Sequence, residues 1–496
     1  MKRKWVMAVD LGTSYIKVGL YDQEGICPCV VREDTASCSD RTGHLVQRGE
    51  LIFEKVLSCM KKAANAFPEL TDGIEAIAFT GQMAGFMGVG EGWEDVTGWS
   101  CSLDTRYVEW AEKMRDEHGE LIRTLCGTSA PLMAPKILWF SETCPERAGK
   151  IKKYVMLNGC ILGRLGGIPV ERASIDPSLL AWSGLADIRK GEWADSILEV
   201  LGIDKEQLPR IVPSDSVGGY LSAKAAGVLN LREGIPLVTG CGDKVAGCIG
   251  AGLREEGEMI FEASSYGALS CMVSDFRKNG VHDEYDCLIH PDGFLAHKYI
   301  PGSGITLKWF LDTFGNRNFE SMEELSGNLP AGCDGLMAIG LLGGSAMPFD
   351  SSQKGMWMGV GYFHRPEHFY RALLESFCYE IALSIDSIRE TYGDGLSDRI
   401  LMTGGGAQSG IWGQMLADVT GKTVVRRNLG NTTLRGAAAV GCRGIGLADG
   451  CERKAQMEGE REAICRPILT NTREYEIFKK RYARYRTEFH RYFAEL

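Results

Sequence analysis

One stretch near the middle of the chain, Val238 to Gly252 (VTGCGDKVAGCIGAG), restricts the fold more than any other, because it sets a single acid, Asp243, between glycines. Ile235, Pro236, Leu237 and Val238 read as a short buried strand. Gly240 and Gly242 then permit a positive-φ turn or a close backbone approach that a side chain would block, and Val245 to Leu253 is small and apolar, as a tightly packed helix requires. A carboxylate on a glycine turn at a strand-to-helix junction stands where an open α/β sheet presents a reacting ligand. The plainer use of such an acid is to cap the helix by accepting its free amides.

The surrounding composition narrows the choice. A chain of 496 residues exceeds one ordinary core and implies about two or three domains. A net charge of −10 opposes nucleic-acid binding, which needs a basic field. The seventeen cysteines include no C-x-x-C and approach one another only at Cys27-Pro28-Cys29, so neither a zinc site nor a redox motif is indicated, and the odd count fits a reducing cytoplasm. Met1-Lys2-Arg3-Lys4 opens like a signal peptide, but the apolar run behind it ends at Asp10, too soon for one. No run approaches the ~18 apolar residues of a membrane span. The 62 glycines exceed the usual ~7% and gather at strand ends, which favours a backbone that wraps a ligand.

In chain order, Trp5 to Val9 reads as a strand, Asp10-Leu11-Gly12-Thr13-Ser14 as a turn with Asp10 at its tip, and Tyr15 to Tyr21 as the returning strand. The turn offers an acid that can hold a metal, backbone amides, two hydroxyls and the cation of Lys17, which together suit a nucleotide phosphate tail; an ordinary hairpin would use the same Asp and Gly simply to turn. A similar hairpin recurs from Met259 to Val273 around Ser264-Ser265-Tyr266-Gly267. Asp10 to Asp22 and Ala263 to Asp275 are equally spaced, which suggests two halves of related fold.

Taken together these segments resemble the FGGY family of carbohydrate kinases, most nearly its xylulose kinases, over almost the whole chain. Asp10-Leu11-Gly12-Thr13-Ser14 with Lys17 resembles the family's first phosphate loop, Gly81-Gln82-Met83-Ala84-Gly85 its G-Q-x-H-G stretch, and Asp104-Thr105-Arg106 the end of its W-x-D-x-R stretch. Ala134 to Trp139 resembles A-P-K-L-x-W, and Gly242-Asp243 carries the position of the catalytic aspartate. Pro301-Gly302-Ser303-Gly304 with Lys308-Trp309 resembles A-G-x-S-x-x-W beside the nucleotide; an ordinary glycine-rich helix start reads the same way. Gly355 to Val360 with His368-Phe369 and Ala372 to Glu375 fits the C-terminal signature, and Gly404-Gly405-Gly406-Ala407 with Ser409 the adenosine motif.

The resemblance implies an α/β protein of two actin-like (ribonuclease H-like) domains with a ligand cleft between them, residues 1–252 binding sugar and supplying the base, residues 253–496 binding nucleotide and ending in a helical tail. It implies ATP and Mg²⁺ as cofactors, a small sugar or polyol as partner, no nucleic acid or membrane, and is compatible with a homodimer. Asp243 would accept the proton of the attacking hydroxyl. Gln82, Met83, Ala84, Asp104 and Lys244 would line the acceptor, and Asp10 would hold Mg²⁺ through water. Gly12, Thr13, Ser14, Lys17, Ser264, Ser265, Gly304, Lys308, Gly405, Gly406, Ala407 and Ser409 would bind nucleotide. Closure of the halves would exclude water and complete the site.

The acceptor pocket departs from the xylulose kinase pattern. Ala84 replaces a histidine, Ser102 a tryptophan, and Lys244 an Asn or Gln, while Gly344-Ser345-Ala346-Met347-Pro348 lacks the arginine of G-E-R-T-P. A cation beside the base fits an acidic or phosphorylated acceptor, or depresses the base's pKa. A sensor of sugar or nucleotide with little turnover is the alternative, which the joint presence of Asp10, Lys17 and Asp243 opposes.

Elsewhere, Arg106 to Arg115, Trp193 to Leu201 and Leu221 to Leu229 read as helices, Pro209 to Asp215 as turn-rich. His368 to Arg389 is the longest helix, with a core stripe at 369, 373, 377, 381, 385 and 388, and the charged tail from Arg461 is expected to pack as a helix on the outside. Gly421-Lys422-Thr423 lacks the earlier glycine of a phosphate loop, because Leu416 holds that place. His364-Arg365-Pro366-Glu367-His368 matches H-x-x-E-H, but Pro366 belongs in a first helical turn and leaves His364 outside it. No G-x-G-x-x-G follows a strand, so a dinucleotide oxidoreductase is unsupported.

Overall fold

The computed structural model describes residues 3–35, 38–41, 44–277, 284–314, 318–346, 349–350, 353–447 and 463–493. The chain divides into two compact units. The first comprises Met1–Leu253, Cys287–Phe294 and Asn431–Glu458, the second Arg254–Asp286, Leu295–Gly430 and Gly459–Leu496. The chain thus returns to the first unit at Asn431, a crossing that no sequence signal announced.

The first unit is built on a six-stranded sheet in the order Val217–Tyr220, Pro236–Gly242, Ile74–Gly81, Trp5–Leu11, Tyr15–Asp22, Cys29–Asp34. The three central strands are mutually parallel. Every residue of Trp5–Leu11 is buried, which is why its sequence is nearly continuous apolar rather than cleanly alternating. Asp10 lies inside this strand, opposite Lys17, and not at the hairpin tip as the sequence suggested, because pairing continues through Leu11 and Ile16. Helices Asp243–Ala251 and Thr432–Gly444 pack backbone to backbone: a Cβ on Gly250 would fall 1.9 Å from the Thr432 carbonyl oxygen, and one on Gly436 1.8 Å from that of Ala246. Gly441 of the second helix lies directly over Val6 and Ala78 of the sheet.

In the second unit Gly267–Val273, Met259–Ala263, Arg399–Thr403, Thr423–Arg426 and Ala463–Cys465 are successive neighbours in one sheet. The hairpin Met259–Ala263/Gly267–Val273 is antiparallel and its first strand runs parallel to Arg399–Thr403, the same local pattern as Trp5–Leu11/Tyr15–Asp22 beside Ile74–Gly81. The equal spacing in sequence therefore corresponds to a repeated substructure.

The long helix spans Pro366–Tyr392 and is buried on nearly every side, not only along the anticipated stripe, where Phe369 is half-buried. Its buried carboxylates are paired. Glu375 accepts hydrogen bonds from Arg371, Tyr475 and the Gly332 amide, and Glu380 from Tyr482 and Arg486. Arg486 also reaches Glu284, which Lys298 contacts at 2.9 Å. These partners correct the view of the tail. Helix Leu469–Phe493 carries exposed charges, but Tyr475 and Tyr482 are fully buried and Arg486 is pinned between carboxylates, so one face belongs to the core. Arg461 and Glu462, at the start of the anticipated tail, lie outside the described residues, as do Met347 and Pro348 of the run that lacks an arginine.

Shorter elements differ at their ends. The anticipated helices begin at Val108, Asp195 and Ala223; Trp193 instead belongs to a two-residue strand, and Ser222 caps the third helix through the Ala225 amide. The Pro366 start leaves His364 ahead of the long helix; His364 Nδ1 accepts from the Gly361 amide and His368 Nδ1 from that of Arg365. Among the described residues no group of three His, Cys, Asp or Glu could hold a metal, and no helix is long and apolar enough to cross a membrane.

Candidate active site

Three loops leave the first sheet at one level. Leu11 pairs with Gly81, and Gly81 with Gly242, so the segments beginning at Gly12, Gln82 and Asp243 emerge side by side from the carboxyl ends of adjacent parallel strands. Such strand ends are where open α/β sheets bind ligands. Local glycine chemistry makes the third exit possible. Gly240 has φ +78° at a register shift between Val238 and Cys241, and a Cβ there would sit 1.8 Å from the Phe79 carbonyl oxygen. Gly242 then lets Met83 pack against the turn, since its Cβ would fall 2.4 Å from Met83 Cγ. Asp243 follows as the first residue of its helix, half-buried, with Lys244 beside it; the cap position itself is Gly242.

Asp10 is almost fully buried and is engaged from two sides. Lys17 Nζ donates to Oδ2 at 3.3 Å and Thr433 Oγ1 at 3.0 Å. Burial pushes the Asp10 carboxyl above its ordinary pKa, while Lys17, the Thr433 hydroxyl and the charge of Lys244 partly offset that rise. Thr433 lies 423 residues from Asp10 in the chain and reaches it because the Thr432–Gly444 helix packs so closely. Sequence reasoning missed it. The available signal was the run Gly436-Ala437-Ala438-Ala439, small enough to meet the equally small helix after Asp243.

The Gly12–Ser14 turn and the Gly81–Gly85 stretch are joined by side-chain amides. Gln47 Nε2 donates to the Thr13 carbonyl at 2.9 Å, Gln82 Nε2 to Gln47 Oε1 at 3.4 Å, and Trp99 Nε1 to Gln82 Oε1 at 3.2 Å. Gln82 and Met83 are buried, and Ala84 half-buried. Asp104 is held by Arg106 through two bonds of 2.8 and 2.7 Å and by Ser100 Oγ at 2.6 Å. Burial opposes its charge, but Arg106 and Ser100 outweigh burial and hold its carboxyl below the usual range. Arg106 also lies over Trp139, 4.3 Å from the ring centre. Lys136, wholly buried, donates to the Ser100 and Cys101 carbonyls at 3.0 and 2.6 Å; burial lowers its pKa to about 8. Its role is to brace the Ser100–Asp104 segment, which the sequence did not disclose.

The candidates in the second unit form their own cluster. The Gly304 and Ile305 amides donate to the Ser264 and Ser265 carbonyls at 3.0 Å each, seating the start of helix Ser303–Phe314 on that turn. Gly404, at φ +80°, passes so near that its Cβ would lie 2.8 Å from the Ala263 carbonyl oxygen. Gly405–Gln408 forms a tight turn, Ser409 caps the next helix through the Trp412 amide at 3.1 Å, and Arg426 braces the turn by donating to the Ala407 and Gln408 carbonyls at 3.1 Å. Lys308 is exposed and pairs with Asp312 at 2.6 Å, and Ser264 Oγ donates to the Tyr266 carbonyl. Gly12, Thr13, Ser14, Lys17, Asp10, Gln82, Met83, Asp104, Asp243 and Lys244 therefore belong to one unit, and Ser264, Ser265, Gly304, Lys308 and Gly405–Ser409 to the other.

Comparison with known proteins identifies the family of both halves of the chain. A family model described as the N-terminal domain of the FGGY family of carbohydrate kinases matches residues 5–250, and its C-terminal counterpart residues 269–445. Gluconokinase of Bacillus subtilis strain 168 is 25% identical over 489 residues, covering 95% of this chain and 93% of the relative. Xylulose kinase of the same organism is 25% identical over 479 residues, covering 95% and 94%. The crystal structure of a gluconate kinase from Lactobacillus acidophilus superposes with a TM-score of 0.91 at 20% identity over all of both chains, a likeness of fold.

Proposed function

Because this chain belongs to the FGGY family of carbohydrate kinases, enzymes that transfer a phosphoryl group to an alcohol, we propose that it moves the γ-phosphoryl group of ATP to a hydroxyl of a sugar or sugar acid, with Asp243 accepting the proton. The observation that carries this reading is the alignment of Leu11, Gly81 and Gly242, which delivers the phosphate-loop candidates, the acceptor stretch and the half-buried Asp243 from three adjacent strand ends.

An alcohol is a weak nucleophile at neutral pH, so a carboxylate within hydrogen-bond reach must take its proton as the new O–P bond forms. Asp243 sits on a backbone fixed by Gly240 and Gly242, with Met83 packed against it and Gln82 tied to Trp99 beside it. Asp104 and Arg106 neutralise each other and shape the wall, while Lys244 supplies a cation next to the base. The gluconokinase and xylulose kinase relatives bracket the acceptors to try first. Lys244 and the loss of a histidine at Ala84 favour the acidic one, since a half-buried cation beside the base attracts an anionic acceptor more than a neutral one.

Asp10 fits a cation of the Mg²⁺ type. It is a single buried carboxylate already surrounded by a hydroxyl and an ammonium, and Mg²⁺ characteristically takes one or two carboxylates plus substrate phosphates and water. Bound there, the ion would neutralise charge on the transferring group. Lys17 and the Gly12–Ser14 backbone would hold phosphate oxygens, and Ser264, Ser265, Gly304 and Gly405–Ser409 the nucleotide, with Lys308 at the rim. We place the enzyme in the reducing cytoplasm; the described cysteines, free thiols that are mostly buried, support this.

ADP release with Mg-ATP across D-gluconate, D-xylulose, other ketoses, aldoses and polyols, run beside Asp243→Ala, tests the reading. Acceptor-dependent turnover lost in the mutant is the expected result. ATP binding without stimulation by any acceptor would overturn it in favour of a sensor.

A further inference from the structure

Resting on that reading of Asp243, we propose that Asp176 and Ser178 are a positioning pair that fixes the backbone on which the base is mounted, by way of the Gly242 amide. The reason lies in how the strand Pro236–Gly242 loses its outer neighbour. Val217–Tyr220 pairs with it only as far as Val238, and backbone bonds from Thr239 to Ser216 and from Gly240 to Ser214 end the ladder. Beyond the register shift, Cys241 and Gly242 have the inner strand on one flank and need another partner on the other.

The short 3₁₀ turn Pro177–Leu179 supplies it. The Gly242 amide donates to Ser178 Oγ at 2.8 Å, and Ser178 Oγ donates in turn to Asp176 Oδ1, which also accepts the Ser178 amide at 3.0 Å. The carboxylate thereby directs the hydroxyl so that its lone pair faces Gly242. From a third element, Asn158 Nδ2 donates to the Cys241 carbonyl at 3.4 Å. Asp176, Ser178 and Asn158 are all at least nine-tenths buried.

This arrangement costs stability. Asp176 Oδ2 and Asn158 Oδ1 are buried without a hydrogen-bond partner, and burial raises the Asp176 pKa to about 7. The ionisable group facing it across the turn is Cys241, a buried thiol that burial, Asp176 and Asp243 all push up. An apolar residue would fill the same space without that penalty, but it could not orient Ser178. Because Asp243 follows Gly242 directly, a small rotation of the Gly242 peptide swings the base away from the acceptor hydroxyl, and misplacement on the ångström scale costs rate rather than binding.

Ser178→Ala, Ser178→Thr and Asp176→Asn, each checked for folding by circular dichroism, are to be assayed with Mg-ATP and either D-gluconate or D-xylulose. Ser178→Ala is expected to lower kcat about 10- to 100-fold with both KM values within about twofold of wild type, and Ser178→Thr, which restores the hydroxyl, to recover most of it. A folded Ser178→Ala with unchanged kcat, or a loss confined to KM, overturns the proposal. Should wild type turn over neither acceptor, it is the acceptor reading that fails. The pair is then judged by the carboxyl ¹³C resonance of Asp243, assigned by difference with Asp243→Asn: a shift in Ser178→Ala supports the pair, and an unmoved resonance overturns it.

Discussion

The two strand-end clusters use the same local topology and opposite chemistry. In the first unit the strand ends around Leu11, Gly81 and Gly242 bring charge: Asp10 with Lys17, Asp243 with Lys244, and Asp104 with Arg106 nearby. In the second, the loops after Ala263 and Thr403 bring glycines, serines and backbone amides, and the one ammonium among the candidates, Lys308, is exposed and paired with Asp312. A repeated hairpin therefore does not repeat a function. Charge gathers where bonds are expected to change, and bare backbone where a ligand is to be fitted closely.

That contrast predicts a graded response. Asp243→Ala should remove about 10²–10⁴ of acceptor-dependent kcat while leaving nucleotide affinity intact, as steady-state kinetics and ATP titration would show. Asp10→Asn, nearly isosteric, should lower kcat by roughly 10²-fold and raise the Mg²⁺ concentration needed for half-activity. A mutation in the second cluster should act on binding and packing instead. Gly406→Ala would push a methyl to 2.6 Å from both Ala263 Cβ and the Trp412 ring, so it should destabilise the protein by about 1–3 kcal/mol and raise KM for ATP more than it lowers kcat, read by calorimetry and kinetics. Equal kcat losses in Gly406→Ala and Asp10→Asn would erase the contrast.

Lys244→Gln should sharpen it at a smaller scale, lowering kcat/KM for D-gluconate about tenfold relative to D-xylulose. Outside the two clusters the expected effect is one of pH on stability, with no direct change in the reacting groups. Asp176 has a folded pKa of about 7, above its ordinary 3.8, so the native state binds the extra proton between those values. Wild-type stability from this group is greatest below pH 4 and falls as pH rises toward 7, whereas Asp176→Asn has no such dependence. Urea unfolding at pH 5 and pH 8 should therefore show the mutant gaining relative to wild type at the higher pH.

Much of this was legible in the chain. The Asp243 junction, both hairpins and the long helix were readable because each is a local pattern: glycines at a turn, alternation, or a helical stripe. What was hidden depends on residues distant in sequence. Thr433 meets Asp10 only because two helices of small residues touch, and the Asp176–Ser178 turn gains meaning only where a neighbouring strand stops. The burial of Tyr475, Tyr482 and Arg486 escaped notice for a different reason. A helix so rich in charge looks solvated until its partners, Glu375, Glu380 and Glu284, are seen on other elements.

The seam between Asp243–Ala251 and Thr432–Gly444 also bears on how the chain is made. As it leaves the ribosome, the segment through Leu253 carries the sheet, Asp243 and Asp10, yet the helix that covers Val6 and Ala78 and supplies Thr433 is translated only from Thr432 onward. Until then the nascent first unit must wait with apolar surface uncovered, a state that invites chaperones and aggregation alike. Completion of the first unit is thus coupled to synthesis of the chain through Gly444, and a message truncated before that point cannot release a first unit whose Asp10 has met Thr433.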